Sequence, residues 1–415
     1  MFSAALKKYE YFRKTTFKSK EYNKSASELF ELILNKKIQK NQRYFLELPT
    51  NLILLILSIF SIFKVKILGV KNVNYFIVFN EELYDPRTDS YVSKINQKNY
   101  LNIIRSNNFF FSLKAFLKYE NVFFHQSIVY FSRLFFFEKE FTLKKKFLFI
   151  HKCNLRKQNI YFKLFKFLQI KKLLMIDDYR EMQNFISICK KLKIFSVGIM
   201  HSRFSKFRVS LKYECFDNYI VWTDYFKKKL IQINPKYRNK IIVNNFRNFK
   251  RISIRKKKRE LKVLFFSDTL MDYKSVIKYL DQLKKENIKI LVRLKSNQIE
   301  NKNFLKYVNE NNFIYANDKK IETIIKKHNP NFFLATNSNV LLEASLYNCY
   351  PIILKTKNDY SFDLIKDKVV VSYSGKNNFH KFLKNLESNK YLINKIYYKI
   401  WGPKYMQNNL RVFLK

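Results

Sequence analysis

Four glycines in 415 residues set the first limit on this chain. Loops that cradle phosphate, GxGxxG and GxxxxGK[ST], need close-spaced glycines where backbone meets a pyrophosphate. Neither pattern occurs, and GxSxG is absent too. A conventional dinucleotide fingerprint, a P-loop and a hydrolase nucleophile elbow are therefore excluded. Any phosphate must be met by helix starts, hydroxyls and cations.

Cysteine is equally sparse. Cys153, Cys189, Cys215 and Cys349 form no CxxC pair, so they read as small core residues in a reducing compartment. His125, His151, His201, His328 and His380 show no HxxxH or HExxH spacing, so no protein metal site and no metal cofactor are expected. No apolar run is long. The longest, residues 52–63, would span ~18 Å as a helix against the ~30 Å of a bilayer core. It reads as a buried helix, with a helix dipping into a bilayer surface as the alternative. The first twenty residues lack the apolar core of a secretion signal.

Acidic residues are few: Asp+Glu 32 against Lys+Arg 81, a formal net charge of +49. That charge favours anionic partners, whether nucleic acid, acidic headgroups or phosphorylated substrates. The lysines are scattered along the whole chain, and with the many Phe, Tyr, Asn and Ile they also carry the signature of an AT-rich genome. No RNP, KH or zinc-knuckle pattern is present, so no specific nucleic acid is expected.

What is present is a large apolar fraction, 47%, in a chain long enough for two domains. Residues 1–46 read as a basic helical extension with apolar residues at helical spacing. Short apolar runs then alternate with amphipathic ones. Strands are predicted at 75–79, 147–150, 173–176, 194–199, 219–222 and 241–243, with helices near 160–168, at 179–192 and from Asp224. A dense basic run at 246–260 reads as a solvated linker. A second block follows, with strands at 261–266, 288–294, 313–315, 332–335, 352–354 and 369–371. Its helices are expected at 273–286, 303–310, 321–327, 338–346 and 378–386. Strand–helix alternation predicts parallel sheets, hence an α/β protein of two Rossmann-like domains, residues 47–250 and 251–390, facing a cleft. Residues 391–415 form a terminal helix expected to cross back to the first domain.

The most telling stretch is residues 330–354. An apolar strand ends at a polar turn, Thr336-Asn337-Ser338-Asn339, which leads into a helix carrying Glu343 and then a second strand. Ligands of open α/β sheets bind at the carboxyl ends of strands, and a helix start there favours an anion. A phosphorylated or nucleotide-linked ligand is expected. Ser267 and Asp268 end the first strand of the same block, and Arg293 and Lys295 end the second. These basic residues could offset charge on a departing diphosphate or stand on a solvated surface. In the first block, Asp177 and Asp178 close one strand and His201 closes the next. Asp178 is also a good cap for the following helix. Read alone, His201 is a turn histidine; its ordinary pKa also suits a general base. Glu81, Glu82, Asp85 and Arg87 follow the 75–79 strand and read as a solvated loop.

The segment from Asn337 to Ala344, followed by Pro351-Ile352-Ile353-Leu354, resembles the donor site of bacterial surface-polysaccharide glycosyltransferases of the GT-B fold. Asn348 stands where those enzymes carry Gly. The segment around Gly198 and His201 resembles their Gln-His-Gly turn, with Met200 and Ser202 replacing Gln and Gly. The resemblance implies that the turn Thr336, Asn337, Ser338 and Asn339 meets the phosphates of a nucleotide-sugar, a substrate and not a cofactor, with Arg293 and Lys295 beside the departing nucleotide; Ser267, placed by the open-sheet rule, is expected as a further donor contact. It implies that Glu343 meets the ribose or sugar and that His201, with Asp177 or Asp178, activates a glycan or lipid-linked acceptor. A peripheral site at an anionic inner membrane face, on the cytoplasmic side, follows as an expectation. The alternatives are a polyol-phosphate transferase of the teichoic-acid type, a nucleic-acid-binding protein, and an inactive scaffold.

Overall fold

The computed structural model describes residues 1–34, 48–67, 75–79, 100–104, 109–118, 121–133, 142–176, 182–244, 249, 251–252, 260–268, 271–294, 302–316, 321–375 and 378–402. The chain divides into two compact units. One holds Ala5–Trp222 and Phe226–Arg247; the other holds Met1–Ala4, Thr223–Tyr225 and Asn248–Tyr405.

The first unit is built on seven strands: β1 (Tyr75–Phe79), β2 (Tyr100–Ile104), β3 (Val122–Phe124), β4 (Lys172–Ile176), β5 (Phe195–Ile199), β6 (Asn218–Val221) and β7 (Ile241–Val243). They lie in the order β3-β2-β1-β4-β5-β6-β7, and every neighbouring pair is parallel. Parallel neighbours require crossovers, here helices such as Met182–Leu192 between β4 and β5 and Asp224–Ile233 between β6 and β7.

The strand expected at 147–150 is instead the interior of one long helix, Leu143–Phe167. The reason lies in its surroundings. Thr142 caps its start by accepting from the Lys145 N–H. Phe147, His151, Asn154, Gln158, Tyr161 and Phe165 then recur at helical spacing and are buried. The N-terminal extension packs on this helix. Helices Phe2–Thr15 and Ala26–Ile33 flank a 3-10 turn, and the Phe17 ring lies 4.5 Å from that of Phe147. Beneath it, Ser25 Oγ meets His151 Nδ1 at 3.1 Å, and Asn154 Nδ2 donates to Ser25 and Glu28.

The 52–63 run does form a helix, Leu48–Ile67, but it is buried on one side only. That side carries Asn51, Leu54, Ser58 and Ser61. Ser58 Oγ accepts from the Phe124 N–H at 3.0 Å and Ser61 Oγ from the Val122 N–H at 2.8 Å. The helix thus covers the β3 edge, where unpaired backbone groups would otherwise face water. Its other side is exposed and apolar, which corrects the expectation of a buried helix.

The second unit has six strands: β8 (Lys262–Phe266), β9 (Lys289–Arg293), β10 (Ile314–Tyr315), β11 (Phe332–Ala335), β12 (Tyr350–Leu354) and β13 (Val371–Tyr373). Their order is β10-β9-β8-β11-β12-β13, again all parallel. Chain order reverses between β8 and β11, as in doubly wound folds. Strands β11 and β12 are buried throughout, so they read as unbroken apolar runs. Pro351 is tolerated inside β12 because its nitrogen faces the β13 side, where pairing begins only at Ile352. The last strand lies two residues beyond the expected 369–371, after Lys368 turns the chain at φ 54°.

The described part of the basic run is pinned at two points, with Arg251 and Glu260 exposed to solvent. Ile252 N–H donates to Leu346 O at 2.8 Å, and the Arg251 guanidinium lies 4.6 Å from the Tyr397 ring centroid. Residues 253–259 lie outside the described residues. The four cysteines are buried.

Candidate functional site

The order reversal between β8 and β11 brings two loops of the second unit together. After β8 come Ser267 and Asp268; after β11 comes Thr336. All three are almost fully buried. Thr336 Oγ1 donates to Asp268 Oδ2 at 2.5 Å, joining residues 68 positions apart. Ser267 is held on its other side, where its N–H donates to Arg293 O at 3.0 Å. Arg293 ends β9, beside β8, and its side chain is half-buried.

Beyond Thr336 the turn opens. Asn337, Ser338 and Asn339 are half-buried. Asn337 Oδ1 accepts from the Ser361 hydroxyl, and Ser338 Oγ accepts from the Val340 N–H at 3.4 Å. The helix expected over 338–346 is shorter and tighter. Val340–Glu343 is one α turn, which continues as the 3-10 turn Ala344–Tyr347. So short a helix carries only a small dipole. Side-chain hydroxyls and amides therefore weigh more at this turn than the axis charge does. Asn348 ends the element at φ 55°, ψ 36°, taking the left-handed conformation that Gly serves elsewhere. Glu343 is half-buried, one turn from Asn339.

Three contacts brace this element. Trp401 Nε1 donates to Leu342 O at 3.2 Å, Tyr347 OH donates to Glu322 at 3.0 Å, and Ile252 ties Leu346. Trp401 ends the helix Lys390–Trp401, which lies in the second unit; residues 403–415 fall outside the described residues. Sequence reasoning missed Ser361 and Trp401. Ser361 lies 24 residues from its partner, and no local pattern marks it.

In the first unit the order reversal lies between β1 and β4. The residues after those strands, Asp177 and Asp178 among them, lie outside the described residues, as do Glu81, Glu82, Asp85, Arg87 and Lys295. His201 follows β5, one strand further along, and is half-buried. Met200 N–H donates to Ile220 O at 2.9 Å, which fixes the chain just before the histidine. Gly198 is required by packing: an added Cβ would lie 2.5 Å from Phe216 Cδ2 and 2.9 Å from Tyr219 Cδ2. Past His201 the loop carries Arg203, nearly fully buried, and Arg208, which donates to Ser202 Oγ. Neither arginine was singled out from sequence, because their basic neighbours hide them.

The second-unit site can hold a polar, anionic ligand: two strand ends at an order reversal, a turn rich in hydroxyls and amides, and a carboxylate one turn on.

No family model matches the chain. No curated protein matches it in sequence. Solved structures do match. The calicheamicin glycosyltransferase CalG4 is 8% identical, with a TM-score of 0.53 over 82% of this chain and 98% of that one. The UDP-GlcNAc 2-epimerase of Neisseria meningitidis bound to UDP-GlcNAc is 11% identical, with a TM-score of 0.51 over 82% and 98%. A putative UDP-N-acetylglucosamine 2-epimerase of Listeria monocytogenes is 10% identical, with a TM-score of 0.50 over 81% and 93%. At such identities the likeness is one of fold: this chain is an α/β protein of the GT-B type, each of its units built on a doubly wound parallel sheet.

Proposed function

We propose that the protein is a glycosyltransferase that moves a sugar from a nucleotide-sugar to a surface-polysaccharide or lipid-linked glycan acceptor. The observation that carries this reading is the joined pair of loops after β8 and β11, locked by the Thr336–Asp268 bond. In this reading Asn337, Ser338 and Asn339 take the diphosphate, with Ser267 and Thr336 shaping the floor beneath them. Glu343 accepts bonds from ribose or sugar hydroxyls. The acceptor oxygen attacks the anomeric carbon, the bond from that carbon to the diphosphate oxygen breaks, and the nucleoside diphosphate leaves. Arg293, with Lys295, offsets the charge that builds on the leaving group. His201, supported by Asp177 or Asp178, takes the acceptor proton. No His or Cys spacing suggests a metal set, so cations and amides carry the diphosphate charge.

A second reading is epimerisation of the sugar while it stays on its nucleotide. The fits to two 2-epimerases favour it, and fold alone does not choose between the two. One experiment separates them. The protein is incubated with UDP-, GDP- and CMP-sugars in EDTA, and products are read by mass spectrometry and NMR. With no glycan acceptor present, a transferase passes the sugar slowly to water and releases free nucleotide; epimerisation keeps the nucleotide attached to an altered sugar. Glu343→Gln is expected to weaken donor binding on the order of tenfold while melting stays unchanged, the scale of one hydrogen bond to a charged group. Binding of none of the donors sinks both readings.

A further inference from the structure

The exposed side of the Leu48–Ile67 helix is an apolar surface that the reading above does not use. Leu52, Ile56, Phe60 and Phe63 recur at helical spacing along it, with Ile56 57% and Phe60 63% exposed. The stripe runs for about 16 Å at 1.5 Å per residue. The neighbouring helix Phe109–Lys118 packs beside it and exposes Phe110 (74%) and Leu117 (78%). The opposite side of the long helix is fixed to the β3 edge through Ser58 and Ser61, so the stripe is held outward by bonds a merely frayed helix would lack. So many large apolar side chains on adjoining helices exceed the scattered singles of an ordinary surface.

Charge selects the occupant. The two helices contain four lysines, Lys64, Lys66, Lys114 and Lys118, and no acidic residue. Lys114 and Lys118 are exposed. A second copy of this chain carries the same net charge of +49 and would meet this face with the same lysines, which opposes self-association. Among the described residues no helix is long and apolar enough to cross a membrane. An apolar stripe that does not span, with exposed Lys114 and Lys118 on the helix beside it, fits the plane of a lipid headgroup layer, where such faces sink ~5–10 Å. We propose that the exposed side of the Leu48–Ile67 helix, with Phe110 and Leu117 beside it, docks the protein on an anionic bilayer surface. This assigns a face to the membrane contact that charge alone left anywhere on the molecule, and it stands whether or not the protein transfers sugar.

The test uses the full chain with vesicles of phosphatidylcholine alone or with about a third phosphatidylglycerol, floated at low and at high salt. Surface charge alone is screened within ~3 Å at 1 M salt, whereas inserted side chains are not released by it. The wild-type protein is expected to float with the anionic vesicles and to stay bound in part at high salt. Ile56→Ser with Phe60→Ser should lower partitioning by about a hundredfold, on the order of tenfold per apolar side chain withdrawn. Tyr391→Ser, at a more exposed aromatic in the second unit, should leave it unchanged. A Phe60→Trp protein should show a blue-shifted emission that brominated lipid quenches. Three results would overturn the proposal. The double serine variant floats like wild type; high salt strips the wild-type protein completely; or the protein self-associates without lipid and the same serines dissociate it.

Discussion

Replacing Thr336 with Val removes one hydroxyl from the candidate site and little else. The two side chains share a branched shape, so the end of β11 keeps its packing. What is lost is the 2.5 Å bond to Asp268, between groups 3% and 2% exposed. Removing one partner of a buried hydrogen bond costs ~1–3 kcal/mol, so about 2 kcal/mol is expected here. For a domain of ~150–250 residues each kcal/mol lowers the melting temperature by ~2–4 °C, which gives a drop of about 4–8 °C. Calorimetry on wild type, Thr336→Val and Thr336→Ser reads it, and the serine, which keeps the hydroxyl, should recover most of the loss. Asp268→Asn should then cost less in the valine background than in wild type, because the two residues act through one bond. If Thr336→Val melts with wild type, the two strand ends are not locked as described, and the reasoning about the site fails.

Other changes test the surroundings. Gly198→Ala should destabilise the first unit by ~1–3 kcal/mol, because the new Cβ meets the buried rings of Phe216 and Tyr219; Phe216→Leu should restore part, and an unchanged melting curve would refute the packing account. Trp401→Phe should cost about 1 kcal/mol through the lost bond to Leu342 O, seen in melting and in weaker nucleotide-sugar binding. His151 supplies a pH dependence: burial holds its pKa below the ordinary value, so the folded protein keeps it neutral. As pH falls through ~6.5 the unfolded chain takes up that proton first, so its contribution is complete above this value and is lost as pH falls toward the folded pKa. Urea midpoints compared above and below ~6.5 should drop less in His151→Gln than in wild type, and equal drops would contradict the assignment.

Much of the second sheet was legible because strands buried on both faces write themselves as apolar runs. Phe332–Ala335 is read to its ends, and Lys262–Phe266 and Lys289–Arg293 to within a residue. The same rule misled at 147–150, where a short apolar run fits a strand or a buried helix turn equally well; the cap at Thr142 and the later recurrence of buried residues decide for the helix. The 52–63 run failed differently. Its composition gives the hydrophobicity, but two serines at its heart, Ser58 and Ser61, are what turn one side inward. The polar turn at 336–339 was visible as a candidate site from its residues. Asp268 was visible too, as a strand end, but not its bond to Thr336, 68 residues away; Ser361, 24 residues from Asn337, and Trp401, which braces Leu342 from 59 residues away, leave no local pattern.

The central claim is that the loops after β8 and β11 receive a nucleotide-sugar. Hydrogen–deuterium exchange with and without saturating UDP-, GDP- or CMP-sugar tests it most directly. The account predicts slowed exchange in the peptides covering Ser267–Asp268 and Thr336–Tyr347, reduced in Glu343→Gln. Protection confined to other segments, or none with any donor, would contradict it.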